Sequence, residues 1–287
     1  MIDFSVIIPV LNEAFHLRSC LDALQRQRIG RERFEIIVVD NGSTDGTLDV
    51  VRGYPDVVLL HEPKADPYLA RNRGIAAARG IVLAFTDGDC CADENWLVAL
   101  ERAFDDGADI AVGCLAHPRG RGFWLDRYVD YYETKTRWVF EGPHDELIYA
   151  HAGNMAARAE IFEMIGPFSA LPTPGDTELL YRLRHHMNTS TIRYVDDAVV
   201  THLEIEHIHD VLPKLSCYGC YAAAVDKEYC YRVLSMAERL KVAIHCARDY
   251  HYGPVRFLGL FLALALGLAS FEWGRYSSSS SGSWPPA

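Results

Sequence analysis

Two aspartates one residue apart, Asp87 and Asp89, follow the uncharged apolar run 81–85. Carboxylates so placed can face one divalent cation, and Gly88 between them lets the backbone approach whatever that cation carries. A metal-held diphosphate is the ligand this chemistry suggests. An Asp-x-Asp by itself is short enough to be a loop with two solvated carboxylates. Here other groups accompany it. Asp40 ends a second apolar run, 34–39, and opens the polar loop 40–47; its carboxylate can accept hydrogen bonds from a base or ribose, or merely stabilise its own turn. Arg71, with Asn72 and Arg73, falls near the start of a helix expected over 68–79. The helix dipole disfavours cations there, so either an anionic ligand holds them or they form a solvated basic face.

The elements that must position these groups follow from periodicity. Residues 5–10, 34–39, 57–60, 81–86 and 110–115 are short apolar runs of strand length. Leu17, Leu21 and Leu24 recur at helical spacing, as do Trp96, Leu97, Leu100 and Phe104. Gly80 is expected to close the helix over 68–79, and Ser43 or Thr44 to cap the helix after the polar loop. Strand and helix alternate four times, the pattern of an α/β doubly wound, mostly parallel sheet whose ligands bind at the carboxyl ends of the strands. The loop 9–13 has no glycine, so the Gly-x-Gly-x-x-Gly turn of a nicotinamide enzyme is missing where it would have to be.

Composition narrows the classes further. The chain has 287 residues, 49% of them hydrophobic, enough for a large core. Its 28 Lys and Arg against 39 Asp and Glu give a net charge of -11 without a basic run, which argues against nucleic acid as a partner. Eight cysteines are too sparse for a disulfide scaffold, and neighbours Cys90 and Cys91 are poorly placed to bridge each other. The opening Met1-Ile2-Asp3-Phe4 runs straight into a strand, so a secretory leader is not expected and the cytoplasm is the expected compartment.

Four motifs in order, Val-Ile-Ile-Pro-Val with Asn12-Glu13, the run 38–47, Ala70-Arg71-Asn72-Arg73-Gly74 and Asp87-Gly88-Asp89, resemble the family 2 glycosyltransferases of the GT-A fold. The resemblance continues through 151–156, 165–168 and 175–183 and covers roughly residues 4–203. It implies a GT-A catalytic domain over 1–205, with a nucleotide-binding half (1–115) and an acceptor half (116–205). It implies that Pro9, Val10, Glu13, Asp40, Asn41 and Ser43 bind the uridine part, that Arg71 lies near base and phosphate, and that Asp87 and Gly88 lie by the ribose and diphosphate. Asp87, Asp89 and His202 are the implied ligands of Mg²⁺ or Mn²⁺, with Gly153 and Asn154 near the sugars. Asp176 is the implied general base of an inverting displacement, and one carboxylate suffices for that step. The family usually has Glu-Asp here, whereas this chain has Gly175-Asp176.

The implied activity is transfer of a sugar from a nucleoside-diphosphate donor, UDP-linked, to a hydroxyl on a glycan or lipid-linked acceptor. Two other classes remain open: a nucleotidyltransferase making nucleotide sugars, which would be expected to open with a Gly-rich loop that this chain lacks, and a silent binding relative, for which Gly175 is the support. The aromatic stretch 122–138 suits either an acceptor or core packing. Cys217-x-x-Cys220 lacks the second ligand pair of a zinc site. Residues 206–276 are expected to be a helical appendage and 277–287 a disordered Ser-rich tail. Within the appendage 257–271 is apolar all round and must be buried. At that length it suits a helix lying in a membrane interface, placing the enzyme on the inner face of the cell membrane, or one packed in the core or a dimer interface.

Overall fold

The computed structural model describes residues 2–142, 147, 150–169, 175–186, 191–205, 207–229 and 232–281. Its centre is a sheet ordered β3-β2-β1-β4-β7-β6-β8-β5. The strands are β1 (Phe4–Val10), β2 (Phe34–Asp40), β3 (Val57–His61), β4 (Val82–Thr86), β5 (Cys90–Ala92), β6 (Ile110–Ala116), β7 (Asn154–Arg158) and β8 (Ile192–His202). β1, β2 and β4 are buried along their whole length, as continuous apolar runs in a covered parallel sheet should be. The parallel half, β3-β2-β1-β4, is the part the alternation forecasts. Beyond it β7 runs antiparallel to both β4 and β6, and β5 antiparallel to β8, so the whole is a mixed sheet.

Helices α1 (Leu17–Gln25), α2 (Thr47–Arg52), α3 (Pro67–Ala77) and α4 (Trp96–Asp105) connect the first strands, and α5 (Phe123–Glu141), α6 (Ala159–Ile165) and α7 (Gly175–His186) belong to the second half. Two local expectations change. Neither Ser43 nor Thr44 caps α2, which starts only at Thr47; Ser43 Oγ instead accepts from the Asn12 amide at 3.0 Å and the Thr44 amide donates to Asn12 Oδ1 at 2.8 Å. The polar loop is thus tied to the loop after β1. Gly80 does not close α3, which ends at Ala77; a Cβ there would lie 2.5 Å from the Ser5 amide nitrogen, so Gly80 serves a close approach to β1. The start of α3 is capped by Asp66, whose Oδ1 accepts from the Tyr68 and Leu69 amides.

After β8 the chain is helical: α8 (Ile208–Tyr229), α9 (Met236–Asp249) and α10 (Pro254–Ser281). α10 packs along α8 and onto α5. The contact is backbone to backbone, since a Cβ on Gly219 would sit 1.9 Å from the Phe271 carbonyl oxygen and one on Gly274 equally close to that of Ser216. The apolar helix is longer than 257–271. The stretch Pro254–Ser277, 24 residues, is long and apolar enough to cross a membrane by length and composition; its most apolar 18-residue window has mean hydropathy 1.8 and is 22% buried. Core burial therefore does not account for it. The helix also carries on through Ser281, so the first part of the Ser-rich tail is ordered, and 282–287 lie outside the described residues.

Candidate active site

The register of the parallel strands brings the candidate residues to one edge. Val10 pairs with Asp40 and Asp40 with His61, while Thr86, beside β1's neighbour strand end, pairs with Asn154. Asp40 is buried; it accepts from the Gly42 and Ser43 amides at 3.3 and 3.1 Å and faces His61 Nδ1 at 2.9 Å. Asn41 spends its amide on the next loop, donating to the Glu62 and Lys64 carbonyls and accepting from the Asp66 amide. Pro9 and Val10 form the end of β1, and Val10 Cγ1 and the Glu13 side chain crowd Gly88 so closely that a Cβ there would meet them at 2.9 and 3.3 Å.

The acidic pair is held from both sides. Asp87 is paired through Oδ1 with Arg71, whose guanidinium also lies 5.3 Å from the centre of the Tyr68 ring. Arg71 thus sits among Asp87, Tyr68 and Asp176, with its Nε unpartnered. Asp89 faces His202 Nε2 at 3.3 Å because β5 pairs with β8, setting Cys90 opposite His202 and letting the Leu203 amide donate to the Asp89 carbonyl. His202 Nδ1 has no protein partner, and the ring stacks on His117 at 5.7 Å. Burial pushes the Asp89 carboxyl above its ordinary range; His202 opposes this and Asp87 reinforces it. Glu13 is pushed up to about 7, by burial first and then by Asp89, Glu204 and Asp87.

Carboxylates crowded this way fit a hard divalent cation, and Asp89 with His202 offers two ligand atoms to it. Asp89, Cys90 and His202 have ligand atoms within 4.8 Å of one another. Cys90 is the poor member, because burial drives its thiol well above the ordinary range and Mg²⁺ or Mn²⁺ prefers harder, oxygen ligands. Asp87 is not a member of that group, and its Oδ1 is held by Arg71.

Asp176 lies in the first turn of α7. Its Oδ1 accepts from the Thr177 amide at 2.7 Å and its Oδ2 from the Ala152 amide at 3.0 Å. Burial raises its pKa although both amides lower it. Gly153 next to that loop leaves room for Asp87, since a Cβ would stand 2.9 Å from Asp87 Oδ2. Asn154 is fully buried and its side chain is committed: it accepts from Trp96 Nε1 and donates to the Cys114 and Ala198 carbonyls, each at 2.8 Å. It ties β4's neighbour β7 to β6 and β8. The replaced Glu of the family is explained by space, because a Cβ on Gly175 would lie 2.9 Å from the Tyr68 ring. Tyr68, His117 and Glu204 are site residues that sequence reasoning missed. Glu204, two residues past His202 and paired with Lys214, had the clearest signal.

In the stretch 122–138 Tyr131 is buried, Phe123 and Trp124 are exposed, and Tyr128, Tyr131 and Tyr132 line a cleft that also contains Asp176. Cys217 and Cys220 are free thiols on α8, Cys220 against the Gly274 carbonyl, and among the described residues no metal-ligating group forms around them.

A mixed sheet with a carboxylate pair at its edge, an adjacent histidine and a recessed aspartate at a helix start defines a GT-A transferase. Residues 5–166 match the model of glycosyl transferase family 2, and the chain belongs to that family. It is similar to the glycosyltransferase AglE of Haloferax volcanii, 33% identical over 172 residues, which are 57% of this chain and 55% of that protein; the chain thus spans about half that relative's length. A PGL/p-HBAD biosynthesis glycosyltransferase of Mycobacterium bovis is 29% identical over 250 residues, 84% of this chain and 87% of its own. The fold resembles the Pyrobaculum calidifontis mannosyltransferase PcManGT in complex with GDP-Man and Mn²⁺ (TM-score 0.60, 20% identity, 97% of this chain and 79% of that one). It also resembles S. aureus TarS 1-349 in complex with UDP (TM-score 0.58, 16% identity, 99% and 93%).

The crowding at Glu13 has a stability signature. Its pKa is about 7 in the folded chain against an ordinary 4.5. The folded state therefore binds more protons between those values, so stability from this group is present in acid and lost as pH rises through about 7. Glu13→Gln should raise the melting temperature of the metal-free chain by about 2–4 °C at pH 8, for roughly 1 kcal/mol, and by clearly less at pH 5. Thermal melts at both pH values check this; an equal shift at each would remove the charge explanation.

Proposed function

We propose that this chain is a metal-dependent inverting glycosyltransferase that moves a sugar from a nucleoside-diphosphate donor, UDP-linked, to a hydroxyl of a glycan or lipid-linked acceptor. The observation that carries the reading is Asp176, recessed by the aromatic cleft on the same strand edge as Asp87 and Asp89, with Arg71 among them. Asp40 and the loop amides after β2 suit the nucleoside, with Pro9, Val10, Glu13 and Ser43 lining that end. Asp87, Asp89 and His202 would hold Mg²⁺ or Mn²⁺, which when bound neutralises charge on the departing diphosphate. Asp176 accepts the acceptor hydroxyl's proton as its oxygen bonds to the anomeric carbon and the bond to the diphosphate breaks on the opposite face. A carboxyl raised by burial is the stronger base for this, and the Ala152 and Thr177 amides fix its direction. The absence of a Gly-rich loop after β1 still speaks against a nucleotidyltransferase, and Tyr68 filling the space beside Gly175 weakens the case for a silent relative.

Three measurements test the reading. Asp176→Asn keeps shape and capping but cannot take a proton, so turnover should fall by about 10² or more with little change in melting temperature; near-normal turnover would leave Asp176 a structural cap. Calorimetry with UDP should show binding at least about 10-fold tighter with Mn²⁺ or Mg²⁺ than in EDTA, a gain that Asp89→Ala abolishes; equal affinity in EDTA sinks the metal role.

The third concerns location. We infer that α10 rests on a membrane, because Leu258, Leu262, Leu266 and Trp273 are exposed along it, each leucine left in water costing about 1.5–3 kcal/mol. Trp273, Tyr276 and Arg275 near its end suit the headgroup layer. The full chain should float with liposomes, and the triple change of Leu258, Leu262 and Leu266 to Gln should release it; a wild-type chain that stays soluble refutes the membrane site.

A further inference from the structure

Glu204 and Lys214 form an ion pair at the acidic edge, and the chemistry described so far makes no use of it. Glu204 stands just past the end of β8, in a segment fixed from two directions. The Leu203 amide donates to the Asp89 carbonyl at 2.9 Å, and Arg121 Nη1 donates to the Leu203 and Ile205 carbonyls at 2.8 and 3.0 Å. This frame holds Glu204 where its charge acts on Asp89. Lys214 reaches it from α8, its Nζ donating to Glu204 Oε2.

The same helix forms a wall of the cleft that contains Asp176, through Leu215 and Tyr218. Lys214 lies one turn before Tyr218, and residues four apart share a helix face. The ammonium is thus carried to the join between the acidic edge and the cleft. Its charge is felt beyond its partner: burial first raises the carboxyls of Glu13 and Asp89, and Lys214 opposes the rise at both.

The cations around it are committed elsewhere. Arg71 is buried on Asp87, Arg119 is held by Asp130 and Glu133, and Arg121 spans the two carbonyls flanking Glu204. Lys214 is placed differently, with a partly exposed side chain on a flexible four-carbon stem and a partly exposed carboxylate as its partner. Pairs of that kind are weak, so a more highly charged anion can take the lysine without any movement of backbone. A departing nucleoside diphosphate is such an anion. The electron pair of the broken bond to the anomeric carbon stays on a β-phosphate oxygen, and the group then carries more negative charge than one divalent cation neutralises.

We propose that Lys214 is a catalytic residue of this site: on donor binding its ammonium leaves Glu204 for the β-phosphate and donates a hydrogen bond to the oxygen on which charge develops. This rests on the glycosyltransferase reading and names the residue that receives the leaving group. Glu204 serves to keep the lysine at the edge until the phosphate arrives.

Calorimetry on the full chain with Mn²⁺ separates this role from a structural one, with UDP and UMP as probes, since UMP has no β-phosphate. Lys214→Met should lose about 10-fold in affinity for UDP and none for UMP, while Lys214→Arg, which keeps the charge, retains most of it. In turnover kcat should fall by about 10² in Lys214→Met, the usual loss for a donor aimed at developing charge, with a melting temperature close to the parent's. An equal loss for UDP and UMP would make the pair a structural one, and UDP bound by Lys214→Met as the parent binds it would remove the contact; either overturns the proposal. Lys214-dependent UDP binding in a chain that transfers no sugar would instead count against the glycosyltransferase mechanism and leave the contact standing. A parent chain that binds neither nucleotide refutes both.

Discussion

Mutual repulsion among Glu13, Asp87, Asp89 and Glu204 is the constraint on which the catalytic edge depends. Each is placed by a separate piece of backbone: the loop after β1, the end of β4, the turn into β5, and the segment after β8. Burial first, with their charges on one another added to it, raises Glu13 and Asp89. The protein offsets part of this with Arg71 on Asp87, His202 on Asp89 and Lys214 on Glu204. It does not offset all of it. The residue left over is an affinity for positive charge, built into the strand edge before any ligand arrives.

The parallel half of the fold was legible because strands covered on both faces must be continuous apolar runs, and the carboxylates at their ends stand out against them. Asp40, Asp87 and Asp89 were found that way. β5 was not, since Cys90–Ala92 is a strand only through its partner β8 and no three-residue pattern announces a pairing. The antiparallel β7 was equally hidden: its direction is set by contacts with β4 and β6, and Asn154 on it looked like a ligand residue while its side chain links strands. Ser43 and Thr44 misled for a related reason. Polar side chains in a loop suit several amides, and here Asn12 across the gap competes successfully with the helix.

The length of α10 shows the limit of reading composition. A Ser-rich segment has little reason to fold by itself, yet extending an existing helix adds one hydrogen bond per residue fixed, whereas nucleation is the costly step. The contact at Gly219 and Gly274 anchors that helix to α8 close to where the serines begin. Composition saw the serines and missed the helix already there.

Gly175 connects these observations. A Glu at this position would need the volume that the Tyr68 ring occupies, and Tyr68 is held beside Arg71, which in turn holds Asp87. The exchange therefore removes a charge beside Asp176 without opening a hole, and leaves an aromatic face in its place. The neighbouring wall is supplied by helices that follow the last strand of the sheet. Leu264, Leu268 and Phe271, spaced to share one face of α10, turn inward to the cleft while Leu258, Leu262 and Leu266 are exposed. The carboxylates thus stand at strand ends of the sheet, and the cleft beside Asp176 is walled by tyrosines and by an apolar helix. Apolar side chains on both faces of one helix leave neither face suited to water, the inner one toward the cleft that contains Asp176 and the outer one exposed.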